Sequence, residues 1–123
     1  MANELQPITS WTFLEETSIP ADVQELLIDT EYAKGAFKTF RDVAIFTNKR
    51  LIVKDAQGLT GSKVEVYTLP YSSIVMYSSE NSGKLFDLSA EIELWTKAGH
   101  IKIQLGKKID VRQFDKIIAE SIL

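Results

Sequence analysis

The chain contains no cysteine, a single histidine and no long apolar run. Without cysteine there can be no disulfides, no thiol catalysis and no cysteine-based zinc or iron–sulfur site. One histidine cannot supply the three protein ligands that a catalytic zinc usually takes, and His100, beside Gly99 in an expected turn, reads as structural or solvated. Basic excess is missing too. The formal net charge of −3 argues against a general nucleic-acid binder or a binder of anionic membranes. Nowhere do about 18 apolar residues follow one another, so no helix is expected to span a membrane. Met1–Pro7 shows neither the basic nor the apolar region of a secretory signal, and the cytoplasm is the expected compartment.

Catalytic signatures are also absent. No Gly-x-Ser-x-Gly elbow accompanies His100. The segment Gly58-Leu59-Thr60-Gly61-Ser62-Lys63 fails as a phosphate loop: two residues separate its glycines, Ser precedes Lys, and a strand pattern follows. A GxxG clamp on single-stranded nucleic acid would need a helix on each side and a basic surround. Asp87, Glu91 and Glu93 form a carboxylate stripe that could hold a cation or pair an acid with a base. The better reading is the solvated face of an antiparallel sheet. No cofactor and no metal are expected, and no enzyme.

What is present is a small soluble domain, 45% hydrophobic and 25% charged. At 123 residues it has room for one core. Its organising stretch is Val43–Lys54, two β-rich arms divided by Asn48-Lys49. Asn tolerates positive φ, which suits a two-residue hairpin turn. Pairing across that turn sets Phe46 against Leu51, Ile45 against Ile52 and Ala44 against Val53. Alternation then puts Ala44, Phe46, Leu51 and Val53 on one face and Val43, Ile45 and Ile52 on the other. Both faces are apolar, so the hairpin is central and covered twice.

Along the rest of the chain, residues 1 to about 17 lack a clear period, although Trp11, Phe13 and Leu14 should dock on something. Ser18-Ile19-Pro20 reads as a helix start with Ser18 as cap, followed by an Ile19, Val23, Leu26, Leu27 stripe. Tyr32–Phe40 is a first strand, with Gly35 marking a bulge or a close backbone approach. Lys63–Leu69 alternates, with Val64 and Val66 opposite Glu65 and Tyr67, and Ile74 begins another strand. From Phe86 to Leu94 the period of two is the cleanest in the chain. A Lys97–His100 turn returns it into Ile101–Leu105, which would set Trp95 against Lys102. Asp110 with Gln113 starts a final helix whose stripe is Phe114, Ile117, Ile118 and Ile122. The pattern alone gives an α+β, antiparallel class.

Four blocks in order resemble a bacterial pleckstrin-homology (PH) family. They are Arg41-Asp42 with Ile45–Ile52 (containing Thr47-Asn48-Lys49-Arg50), Gln57–Glu65, Leu69–Ile74, and Phe86–Leu88 with Ala90–Trp95. The resemblance implies a mainly-β PH-like fold: a strongly bent antiparallel sheet or partly open barrel of about seven strands, capped by the C-terminal helix. It further implies homo-oligomeric, often ring-like assembly and no assigned activity. The whole of 1–123 is then one PH-like domain, with residues 1–30 a helical extension packed on a core of 31–123.

The expected role is a non-enzymatic binding or scaffold module whose partner is itself, with an unidentified protein as a further partner. Arg41, Asp42, Gln57, Leu59, Thr60 and Lys63 are the candidate interaction loops. The surplus apolar face of Val43, Ile45 and Ile52, together with Trp95, is the candidate oligomer contact, because contiguous apolar patches are uncommon on monomers. A chain in which the first 30 residues wrap the hairpin completely would instead be a monomer. The alternative role is a small-ligand or membrane-surface module of the PH type. Its cations are divided, however, with Lys38 and Arg41 at one end of the sheet and Lys49 and Arg50 at the other. A polyanionic headgroup needs them to converge.

Overall fold

A computed structural model describes residues 9–57, 63–81 and 88–123. In these residues nine strands form two sheets. Five of them, β2 (Glu15–Thr17), β3 (Ala33–Lys38), β4 (Val43–Thr47), β5 (Arg50–Gln57) and β6 (Lys63–Pro70), lie side by side in chain order. The second sheet runs β1 (Thr9–Phe13), β9 (Gly99–Gly106), β8 (Leu88–Thr96), β7 (Ile74–Asn81). The final element is α1, Val111–Ile122. The class is mainly β with one C-terminal helix, as expected, but the strands number nine rather than about seven, and the sheets do not close into a barrel.

The N-terminal region is the main correction. Residues 9–17 form two short strands, with Trp11 and Phe13 directed inward. β1 runs parallel to β9, from Thr9 opposite Ile101 to Phe13 opposite Leu105. The chain then switches sheets at Leu14, whose N–H donates to the Lys38 carbonyl at 2.7 Å. Gly106 permits that corner, because a Cβ there would meet the Leu14 carbonyl oxygen at 2.3 Å. Strands this short show no period that a sequence window could register. The expected helix after Ser18 is a single 3-10 turn, Ala21–Glu25, with Pro20 at its cap position and no side-chain cap. Only Val23 of that turn is buried, so residues 18–32 are an arm rather than a helical extension.

The central hairpin pairs as its alternation predicts: Ala44 with Val53, Ile45 with Ile52, Phe46 with Leu51. Its turn differs. No described non-glycine residue has positive φ; the Thr47 hydroxyl instead accepts the N–H groups of Lys49 and Arg50, each at 3.0 Å. Gly35 does sit at a register shift in the β3–β4 ladder. The β8–β9 turn is tighter than expected, so Trp95 opposes His100 and Glu93 opposes Lys102. The cause is Gly99, whose φ of 140° lets Lys97-Ala98 turn alone, with Thr96 Oγ1 donating to the Gly99 carbonyl at 2.6 Å.

One core fills the space between the sheets. Ala44, Phe46, Leu51 and Val53 contribute the inner face of the hairpin, and Ile92, Leu94, Ile103 and Leu105 face them. α1 is started by Asp110, whose carboxylate accepts the Arg112 N–H at 2.9 Å. Its Phe114 ring meets Phe13, Phe37 and Phe46 with centroids 5.3 to 6.0 Å away for the first two and 5.5 Å for the third. A second, smaller cluster lies on the outer face of the five-stranded sheet. There Val43, Ile45 and Ile52 are covered by Val23, with Leu26 and Leu27 beside it.

Candidate functional site

The Thr47–Arg50 turn is the most densely bonded polar feature of the described residues, and it holds the arm down. Arg50 reaches across 19 residues to grip Glu31 with two parallel bonds, Nε to Oε2 at 2.8 Å and Nη2 to Oε1 at 3.0 Å. Nη2 also donates to the Leu26 carbonyl at 2.6 Å, and Nη1 to Thr68 Oγ1 at 3.1 Å. Thr47 Oγ1 donates to Glu31 Oε2 at 2.6 Å. Asn48 ties the arm a second time, donating from Nδ2 to the Thr30 carbonyl and accepting the Tyr32 N–H at 2.8 Å. A planar guanidinium on a carboxylate is a geometrically specific pair. The Glu31 side chain is 1% exposed, so its carboxylate is withdrawn from water, while the Arg50 side chain stays 22% exposed.

This setting holds the Glu31 carboxyl down at about 2, from an ordinary 4.5. The Arg50 bond is the largest cause; burial opposes it, and the Thr47 hydroxyl and Ile28 N–H add to it. On the other side of the turn, the Tyr71 hydroxyl donates to the Thr47 carbonyl at 2.7 Å. Burial pushes the Tyr71 phenol up to about 12. Tyr71 lies in the 3-10 turn Tyr71–Ser73 that joins the two sheets. The sequence blocks around Thr47-Asn48-Lys49-Arg50 and Leu69-Pro70-Tyr71 therefore meet in space and brace the fold. Glu31 carried no signal of its role in the sequence, since its partner is fixed only by folding.

The candidate loop residues gather in part. Arg41 is exposed and lies 3.8 Å from Asp55. Asp42 closes the β3–β4 turn, its N–H donating to Thr39 Oγ1 at 3.0 Å. Gln57 opposes Lys63 at the end of the β5–β6 ladder, at the same end of the sheet as Arg41. Leu59 and Thr60 lie outside the described residues. The cations do not converge: Lys38 faces Glu15 at 3.7 Å, Lys54 faces Asp22 at 3.9 Å, and Arg50 is committed to Glu31 at the far end.

The candidate oligomer contacts separate. Val43, Ile45 and Ile52 are 8%, 0% and 0% exposed beneath the chain's own arm, so they are not a surface, and that correction removes the surplus face. Trp95 is half-buried on the outer face of the other sheet, stacked on His100 with centroids 6.4 Å apart. His100 Nδ1 contacts the Glu93 carboxylate, while its Nε2 is buried without a partner. Glu91 lies 3.9 Å from Lys102, and Asp87 is outside the described residues. Among the described residues no three acidic or histidine side chains group as metal ligands, and no helix is long and apolar enough to cross a membrane.

Two features emerge that the sequence did not single out. One is a cavity of about 390 Å³ between Trp11, Tyr67, Leu69, Pro70 and Ile101. The other is the pair of strands β6 and β7, each at the end of its sheet among the described residues, which carry exposed apolar side chains: Val64 at 48%, Val66 at 44%, Val75 at 68% and Met76 at 55%.

Comparison with known proteins agrees with this architecture. A family model described as the bacterial PH domain matches residues 4–122. The uncharacterized protein YjqA of Bacillus subtilis (strain 168) is 34% identical over 109 residues, which is 86% of each chain. A DUF1696-family protein with a pleckstrin-homology domain from Shewanella loihica PV-4 superposes with a TM-score of 0.79 at 36% identity, covering 89% of this chain and 97% of its own. A pleckstrin-homology domain from Shewanella amazonensis SB2B gives 0.68 at 38% identity, covering 84% of both. The chain belongs to the bacterial PH domain family.

Proposed function

We propose that the protein is a non-enzymatic scaffold module of the cytoplasm that assembles with copies of itself and presents its β3–β4 turn and the adjoining ends of β5 and β6 to a protein partner. The observation that carries this reading is the unequal cover of the five-stranded sheet's outer face. The arm buries Val43, Ile45 and Ile52 and stops there, while Val64 and Val66 stand exposed on the same face of β6, the last described strand of the sheet, opposite Ala56 and Lys54. An edge strand with exposed valines is a template for another strand. β7, the last described strand of the other sheet, carries exposed Val75 and Met76. Pairing β6 of one copy with β7 of the next is a head-to-tail contact, which gives a ring where the rotation closes. Arg41, Asp42, Gln57 and Lys63 would then repeat around one rim, and weak partner contacts would gain from multivalency.

Sedimentation velocity on the parent, on Val64→Glu/Val66→Glu and on Val75→Glu/Met76→Glu tests this directly. The parent should sediment as an oligomer, and either double variant should sediment as a folded monomer. Variants that assemble like the parent would show that these edges are not the contact.

A further inference from the structure

The two openings between the sheets are treated differently. At the Phe13 and Leu105 end, α1 inserts Phe114 and Ile118. At the Thr9 and Ile101 end no element is inserted among the described residues, and a cavity of about 390 Å³ remains. Its floor is Trp11, Leu69 and Ile101, which are 9%, 8% and 4% exposed. Tyr67 forms a wall, meeting Trp11 edge-on at 5.7 Å, with its hydroxyl held by Glu65 at 3.1 Å. The rim is fixed before any ligand arrives. The Lys97 N–H donates to the Ser73 carbonyl at 3.0 Å, and the Ala98 N–H donates to Thr96 Oγ1 at 3.1 Å.

Two properties define what fits. The volume lies near the small end of the roughly 300–1,000 Å³ that ligand pockets span, which suits one ring or one short acyl chain and not a two-chain lipid. The rim carries one cation, Lys97, which has no acidic partner among the described residues. Among the described residues lining the cavity there is no carboxylate, Glu65 reaching only the Tyr67 hydroxyl. We propose that this cavity binds a small amphiphilic acid, with its apolar body on Trp11, Leu69 and Ile101 and its carboxylate at Lys97. The site shares strand β6 with the proposed assembly edge, through Tyr67–Pro70 and not through Val64 or Val66.

Trp11 makes the test direct. The chain has two tryptophans, so Trp95→Phe leaves Trp11 as the sole indole. Octanoate and octanol are titrated into that variant while its emission is followed. Octanoate should give a saturable change with a Kd of about 0.1–1 mM, in keeping with its few heavy atoms. Adding Lys97→Glu should weaken octanoate by about tenfold and leave octanol unchanged. Ala98→Phe, which projects a ring from the rim, should abolish both responses with an unaltered far-ultraviolet circular dichroism spectrum. Lys97 is exposed in a turn, so its variant reports even if Ala98→Phe does not fold. No saturable change, a response that survives Ala98→Phe in the folded protein, or octanoate binding indifferent to Lys97→Glu would each overturn the proposal.

Discussion

Two parts of one sheet face behave oppositely. On β4 and β5, Val43, Ile45 and Ile52 sit at 8% exposure or less; on β6, Val64 and Val66 stand at 48% and 44%. Both are apolar side chains on the outer face of the same five strands. What differs is the arm, which lies over the centre because Glu31, Thr47, Asn48 and Arg50 bind it there, and which ends short of the edge. Burial on this face is thus set by where a polar clasp can anchor, and hydrophobicity then follows.

The covered side should be costly to disturb. Phe114, 1% exposed with three aromatic neighbours, is the reference for the main core, and Phe114→Ala should cost about 3–5 kcal/mol in chemical denaturation. Arg50→Ala should cost a comparable amount, about 3–5 kcal/mol, because it leaves the Glu31 carboxylate buried without its charge partner. A loss below about 1 kcal/mol would show that the clasp does not hold the arm.

Acid probes the same clasp. The Glu31 carboxyl titrates at about 2 in the folded chain and near 4.5 when unfolded. Its contribution is therefore full above pH 4.5 and is lost as pH falls toward 2, on the order of 3 kcal/mol in all. Denaturation profiles of the parent and Glu31→Gln between pH 7 and pH 2 should converge as the parent loses this share. Parallel profiles would mean that Glu31 titrates normally. A single methylene under the arm is a finer probe: Ile52→Val should cost about 0.5–1.5 kcal/mol. The smallest effect belongs to the uncovered side. Measured on dissociated protein, Val66→Thr should change stability by less than about 0.5 kcal/mol.

The sequence made the sheet legible wherever alternation ran for several residues on both partners. Phe46 opposite Leu51 and Ile45 opposite Ile52 follow from the Val43–Lys54 pattern alone, and the Asp110-started helix follows from its stripe and cap. An irregularity at Gly35 was legible too, and the ladder shifts register there. The sheet exchange at Leu14 was not, since it needs strands of five and three residues and a glycine 92 positions away at Gly106. The site was harder. Glu31 is an ordinary acidic residue until folding brings Arg50 to it, and the apolar face of Val43, Ile45 and Ile52 looked available because nothing local announces that the arm will lie on it. The cavity beside Trp11 joins β1, β6 and the β8–β9 turn, a meeting that no local pattern encodes.

Self-assembly is the claim on which the functional reading rests, and its most direct test is multi-angle light scattering of the parent protein at low micromolar concentration. The account predicts a mass that is a whole multiple of 13.9 kDa, greater than one. A single species at 13.9 kDa would contradict it, leaving Val64 and Val66 as exposed side chains of a monomer whose arm already supplies all the cover it needs.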